Sequence, residues 1–376
     1  MPPLFLASDH LEFLARNLND RSQPCGTKIA LQCGFIVSTS LSTRSETGEE
    51  HQLGFIAKYT DDGVLNHAFG DPANPGRILF VDSGTSGLTD QFRIYPRDAG
   101  FFAVVWSQNN AHLDLVAFDR HGHLDRGFGR DGYLRLDEIG YPMQGVMLDG
   151  SLLLVKDNLS TGRRDLDIRR LLPSGRIDSH FGAGGVVICS GNYGPLGFVE
   201  LPDHQIIIAA NFVPVQHEMN AGLIRIDSSV HFDATFGDHG FAHQSTDFWS
   251  WTTGSLIAQN DGKLLLSGYA RREDYFQMMV LRFNTDGGID TSFGNNGARV
   301  MAIESPNGGG GSFGNDIDLQ NDGSIITAGT ASLYPNEHCS NCASDFFVVS
   351  RLTESGEPDM TIASKGWTAI KVIDGE

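Results

Sequence analysis

The phrase IDTSFGNNG, residues 289–297, returns in altered form along the whole chain. The other copies are LNHAFG ending at Gly70, LDRGFGRDG at Gly132, IDSHFGAGG at Gly185, FDATFGDHG at Gly240 and a worn PDMTIASKG at Gly366. Steps between the central aromatics Phe69, Phe128, Phe181, Phe236 and Phe293 are 59, 53, 55 and 57 residues, with 69 more to Ile362. A period of this size marks one supersecondary unit used repeatedly, each copy burying its apolar surface against its neighbours. A single domain of six repeats over 28–376 is therefore expected, after an extension, 1–27, in which 8–17 reads as a short helix with Asp9 and Glu12 in capping-box spacing.

Within the third unit, 132–137 (GYLRLD), 144–148 (QGVML), 151–155 (SLLLV) and 166–172 (LDIRRLL) each read as a strand. Asp149-Gly150 between the second and third is a hairpin signal, repeated at Asp261-Gly262 and Asp322-Gly323 and loosened to Asp203-His204. The third strands are nearly continuous apolar runs, as strands covered on both faces should be. Four strands in about 55 residues exceed a β-solenoid coil and fit a propeller blade. The fold expected is all-β, a six-bladed β-propeller of four-stranded antiparallel blades. The first unit lacks a convincing first strand, so the C-terminal strand at 367–372 is expected to join the N-terminal blade and close the ring. A seventh blade would have to come from residues 1–27, too short a stretch.

Positions inside the phrase have separable jobs. A glycine six residues before the aromatic (Gly63, Gly122, Gly175, Gly287, Gly356, with Val230 the exception) suits a turn of positive φ. Asp125, Asp178, Asp233, Asp290 and Asp359, three before it, with Asn66 in the first copy, suit capping of the same turn. The Phe is a plug between blades, contributing about 2–3 kcal/mol by burial. Eleven residues before it stands Lys58, Arg170, Arg225, Arg282 or Arg351, with Ala117 the exception, and the recurrence of cation and Asp together points to a structural ion pair.

These phrases resemble the delta-60 repeat family, whose units run close to RxxxDGxxDxxFGxxG followed by LQxDGKIxxAG. The match is best at 282–297, at 256–268 (LIAQNDGKLLLSG) and at 319–329 (LQNDGSIITAG), and it extends over roughly 28–372. The resemblance implies a propeller-like fold and brings no catalytic residues with it.

In an up-and-down blade, successive connections alternate between opposite ends of the strands. The Asp-Gly hairpins and the aromatic turns then share one face, and the loops of variable length share the other, where function in a repeat scaffold usually lies. Aromatics collect in those variable loops: Phe248, Trp249 and Trp251 together, with Tyr141, Tyr193, Tyr275 and Tyr334 on other blades. Rings beside Asp, Asn and Glu suit a carbohydrate or a protein ligand, and they equally suit packing of the loops onto the disc. Cys339 and Cys342 with His338 form half a zinc site, with inert thiols or a local disulfide as the alternatives.

A net charge of −19 without a basic stripe argues against nucleic acid and anionic membrane. No signal peptide and no membrane span is read, and the five cysteines form no disulfide framework, so a cytoplasmic monomer is expected, with signal-less secretion the other route. Nucleophile-elbow, Walker, Rossmann and H-E-x-x-H patterns are missing. No cofactor and no metal is expected, and the reading is a non-enzymatic binding propeller. A propeller glycoside hydrolase or lyase using loop carboxylates such as Asp247 and Glu304 is the alternative, and a structural module of a larger assembly the third reading.

Overall fold

The computed structural model describes residues 27–371 apart from 32–33, 45–49, 82–91, 98, 108–111, 138–142, 159–163, 213–219, 228, 244–249, 273–274, 304–309, 334–343 and 364. Two compact units divide the chain, Met1–Lys156 with Arg169–Ser179, and Asp157–Ile168 with His180–Glu376. All regular elements among the described residues are strands, and they form six four-stranded antiparallel sheets, a six-bladed β-propeller.

Blade one contains β1 (Thr27–Leu31), β2 (Gly34–Arg44), β3 (Glu50–Tyr59) and β4 (Arg77–Val81), and blade two β5 (Phe92–Arg97), β6 (Gly100–Ser107), β7 (His112–Asp119) and β8 (Tyr133–Asp137). Blade three contains β9 (Met143–Val146), β10 (Leu152–Asn158), β11 (Asp165–Leu171) and β12 (Val186–Cys189). Blade four contains β13 (Tyr193–Glu200), β14 (Ile206–Phe212), β15 (Asn220–Ile226) and β16 (Phe241–His243), and blade five β17 (Ser250–Ala258), β18 (Leu264–Arg272), β19 (Tyr275–Phe283) and β20 (Ala298–Val300). Blade six contains β21 (Gly310–Leu319), β22 (Ile325–Leu333), β23 (Ser344–Leu352) and β24 (Trp367–Lys371).

The expected ring closure is overturned. β24 pairs with β23, Trp367 opposite Ser350, and blade one has four strands of its own. The reason lies in the repeated phrase, which folds the chain back on the strand it has just left. In blade two the Asp125 N–H donates to the Ala117 carbonyl and the Ala117 N–H to the Gly132 carbonyl, so β8 must pair with β7. The strand after each copy therefore finishes the preceding blade instead of starting the next.

Between blades of one unit, the phrase makes a recurring joint. In blade five, Asp290 Oδ1 accepts the Ser292 N–H at 3.1 Å, while Oδ2 accepts Arg282 Nε at 2.8 Å and Lys263 Nζ at 3.0 Å. The Arg282 guanidinium lies 4.6 Å from the Phe293 ring centroid and donates to the Glu354 carbonyl of blade six at 2.6 Å. Phe293 is fully buried, and a Cβ on Gly356 would meet its ring at 2.6 Å. Glycine is thus required there by a φ of +83° and by the plug together. Gly294 N–H completes the joint by donating to the Ser355 carbonyl at 2.9 Å.

Phe69 against Gly122, Phe128 against Gly175 and Phe236 against Gly287 repeat the contact. Asp178 pairs with Arg170, Asp233 with Arg225, and Arg351 with both Asp359 and Asp322. Phe181 is buried as the other plugs are. Where Ala117 interrupts the cationic series, Arg97 of β5 pairs with Asp125 and covers the Phe102 ring at 4.9 Å. The missing charge is supplied from two strands away.

Candidate functional site

Antiparallel order puts the Asp-Gly hairpins of blades three, five and six and the repeated phrase at one end of the strands and the remaining connections at the other. At the regular end the turns cap themselves. Ser151, Lys263 and Ser324 donate their N–H groups to the carboxylates of Asp149, Asp261 and Asp322, two residues back. His121 and His123 are also here, their rings 6.2 Å apart in a turn closed by Asp119.

At the opposite end, the richest described surface lies where blades five and six meet. Tyr269 near the end of β18 packs edge-on against Phe276 of β19 at 5.2 Å and against Phe313 of β21 at 4.9 Å, with Phe276 and Phe313 5.7 Å apart. All three rings are half-buried, and Tyr275 beside them is exposed. Gly314 lets the two blades come this close. A Cβ on Gly314 of blade six would lie 2.8 Å from the Gly268 carbonyl oxygen of blade five, and within blade six one on Gly329 would strike the Phe313 carbonyl oxygen. The Ser312 hydroxyl then accepts the Met278 N–H at 2.9 Å, so neither blade can slide on the other without losing a buried hydrogen bond. Burial raises the Tyr269 hydroxyl above its ordinary pKa, leaving it a neutral donor and acceptor.

Of the aromatics expected from the sequence, Trp251 lies on β17 with its Cα directly opposite that of Tyr269. The structure therefore brings the Trp251 backbone and Tyr275 to the same end of blade five. Tyr193 sits apart on blade four, buried with its ring 4.9 Å from Phe212 and 5.9 Å from Phe241. Beside it, burial pushes the Cys189 thiol up to about 12, so this cysteine is unreactive. Tyr141, Phe248, Trp249, Tyr334, His338, Cys339, Cys342, Asp247 and Glu304 lie outside the described residues, as does the expected helix at 8–17. Tyr269, Phe276 and Phe313 are not among the aromatics that the sequence singles out, because only the packing of two blades makes them one cluster.

A further polar cluster lies on blade two. Arg135 grips Asp114 through Nε at 2.7 Å and Nη2 at 2.8 Å, and the buried His112 approaches the same carboxylate at 3.3 Å. Burial, then Asp114, raises the Tyr133 hydroxyl pKa. Among the described residues no three His, Cys, Asp or Glu side chains are grouped to hold a metal, and no helix is long and apolar enough to cross a membrane.

Residues 259–293 match the model of a family described as a beta-propeller domain of unknown function, DUF5122. No curated protein matches the chain. Among solved structures, a PL25 polysaccharide lyase, an ulvan lyase, is 11% identical with a TM-score of 0.51, the match covering 92% of this chain and 82% of that one. The beta-propeller domain of the Trilobed protease from Pyrococcus furiosus is 10% identical with a TM-score of 0.41, covering 85% and 88%. A glucose dehydrogenase is 9% identical with a TM-score of 0.42, covering 82% and 95%. The lyase likeness is one of fold.

Proposed function

We propose that this chain is a non-enzymatic binding propeller of the delta-60 repeat type, working in the cytoplasm and holding a carbohydrate or protein ligand at the variable-loop end of blades five and six. The observation that carries this reading is the half-buried cluster of Tyr269, Phe276 and Phe313 with the exposed Tyr275 beside it. Half-buried rings on a rigid sheet end are preorganised, so stacking with a sugar face or an apolar side chain costs little conformational entropy. The regular end, by contrast, has its turn carboxylates occupied by turn amides.

Glycan-array and pull-down screens with the wild type, Tyr275→Ala and Trp251→Ala test it. Loss of one stacking ring should weaken the captured ligand about tenfold. Undiminished binding in both folded variants would overturn the aromatic platform.

The enzymatic alternative draws on the likeness to the polysaccharide lyase and needs two facing loop carboxylates, with Asp247 and Glu304 the candidates. Chain cleavage of a polysaccharide that disappears in Asp247→Asn or Glu304→Gln would favour it over pure binding.

A further inference from the structure

A second site, independent of the aromatic platform, lies between the outer strands of blades five and six. A cavity of about 200 Å³ is lined by Val300, Met301, Leu352, Pro358, Lys365 and Trp367. Its origin can be read from the repeat. The residue opposite the first strand residue after the phrase is Val116 in blade two, Ile224 in blade four and Leu281 in blade five. In blade six it is Ser350, opposite Trp367. A hydroxymethyl group thus stands where blades two, four and five carry a branched aliphatic side chain and blade one carries Ala57, and it leaves space that packed interiors seldom leave open. Ser350 is pinned there: Thr327 Oγ1 lies 2.7 Å from its hydroxyl oxygen, and the hydroxyl donates to Met301 Sδ at 2.9 Å.

One cation attends this apolar space. Lys365 Nζ lies 5.6 Å from the Trp367 ring centroid, and no described carboxylate pairs with it. Lys365 is exposed and lines the same space. The walls suit an apolar body, the indole suits a ring, and the ammonium suits an anionic head group.

We propose that this cavity binds a small monocarboxylate with a compact apolar or aromatic body, the body between Met301 and Trp367 and the carboxylate on Lys365. Phenylacetate is a suitable probe and phenylacetamide its neutral counterpart. The readout is the Trp367 indole N–H resonance, identified by its loss in Trp367→Phe.

In the wild type, phenylacetate should shift this resonance saturably, and phenylacetamide should bind about fivefold more weakly, the upper value for one exposed ion pair. Lys365→Gln should lower the acid to the level of the amide. Ser350→Leu, which restores the side chain found at Leu281, should abolish binding of both. The proposal is overturned if neither compound shifts the resonance, if the wild type binds acid and amide equally, or if folded Ser350→Leu binds as the wild type does. The acid-to-amide comparison and the surface change Lys365→Gln do not depend on the core substitution being tolerated.

Discussion

Val230 occupies the turn position that glycine holds in the other copies, and it adopts a φ of +67° all the same. A β-branched side chain in the left-handed region is strained, at a cost of about 1–3 kcal/mol. Glycine would remove that strain and give back part of the gain through unfolded-chain entropy. Val230→Gly should therefore stabilise the protein by about 1 kcal/mol in denaturant unfolding. Asp290 shows the opposite kind of local economy. Burial by itself raises its carboxyl pKa, but the hydrogen bonds from the Ser292 hydroxyl, Lys263 and the Ser292 amide, with the charge of Arg282, hold it below the ordinary carboxylate range. A carboxyl depressed in the folded state contributes stability that is complete above its unfolded pKa, about 4. That contribution is lost as pH falls from there through the folded value. Asp290→Asn should be less stable than the wild type at neutral pH, with a shallower fall in Tm below about pH 4.

At the scale of the element, the phrase matters as a joint. Phe293 is fully buried, whereas Ile362 at the equivalent place in the worn sixth copy is 39% exposed. Phe293→Ala should cost about 3–5 kcal/mol, because a ring is removed from a packed blade interface. Ile362→Ala should cost about 1 kcal/mol or less. Equal losses for the two in equilibrium unfolding would contradict the plug reading. The ion pair tolerates rerouting, since Arg97 pairs with Asp125 where Ala117 breaks the cationic series. What recurs from copy to copy is a cation near the turn, and its point of origin in the chain is free to change.

For the whole molecule, strand phase is the decisive matter. With β24 paired to β23, truncation after Gly366 should expose the outer side of blade six and destabilise that blade. Hydrogen exchange should then rise in 344–352 and stay unchanged in 27–31. Loss of protection at 27–31 would instead support closure of the ring through the C-terminal strand.

Six copies, four strands per copy and the turn chemistry were legible in the sequence. Glycine at positive φ, Asp capping its own turn and apolar runs of strand length are local demands that residues state in order along the chain. Blade boundaries were not legible in the same way. A four-strand period can be cut at any of its four connections, and only hydrogen bonding across the Asp-Phe-Gly turn shows that the strand after it belongs to the blade before. The same holds for the two sites. Tyr269, Phe276 and Phe313 lie on three strands of two blades, and Ser350, Met301 and Trp367 on two blades as well. A linear pattern records which residues suit a strand. Only the packed blades decide which of them meet, because side chains distant along the chain become neighbours through close approach at Gly268 and Gly314 or through volume missing at Ser350.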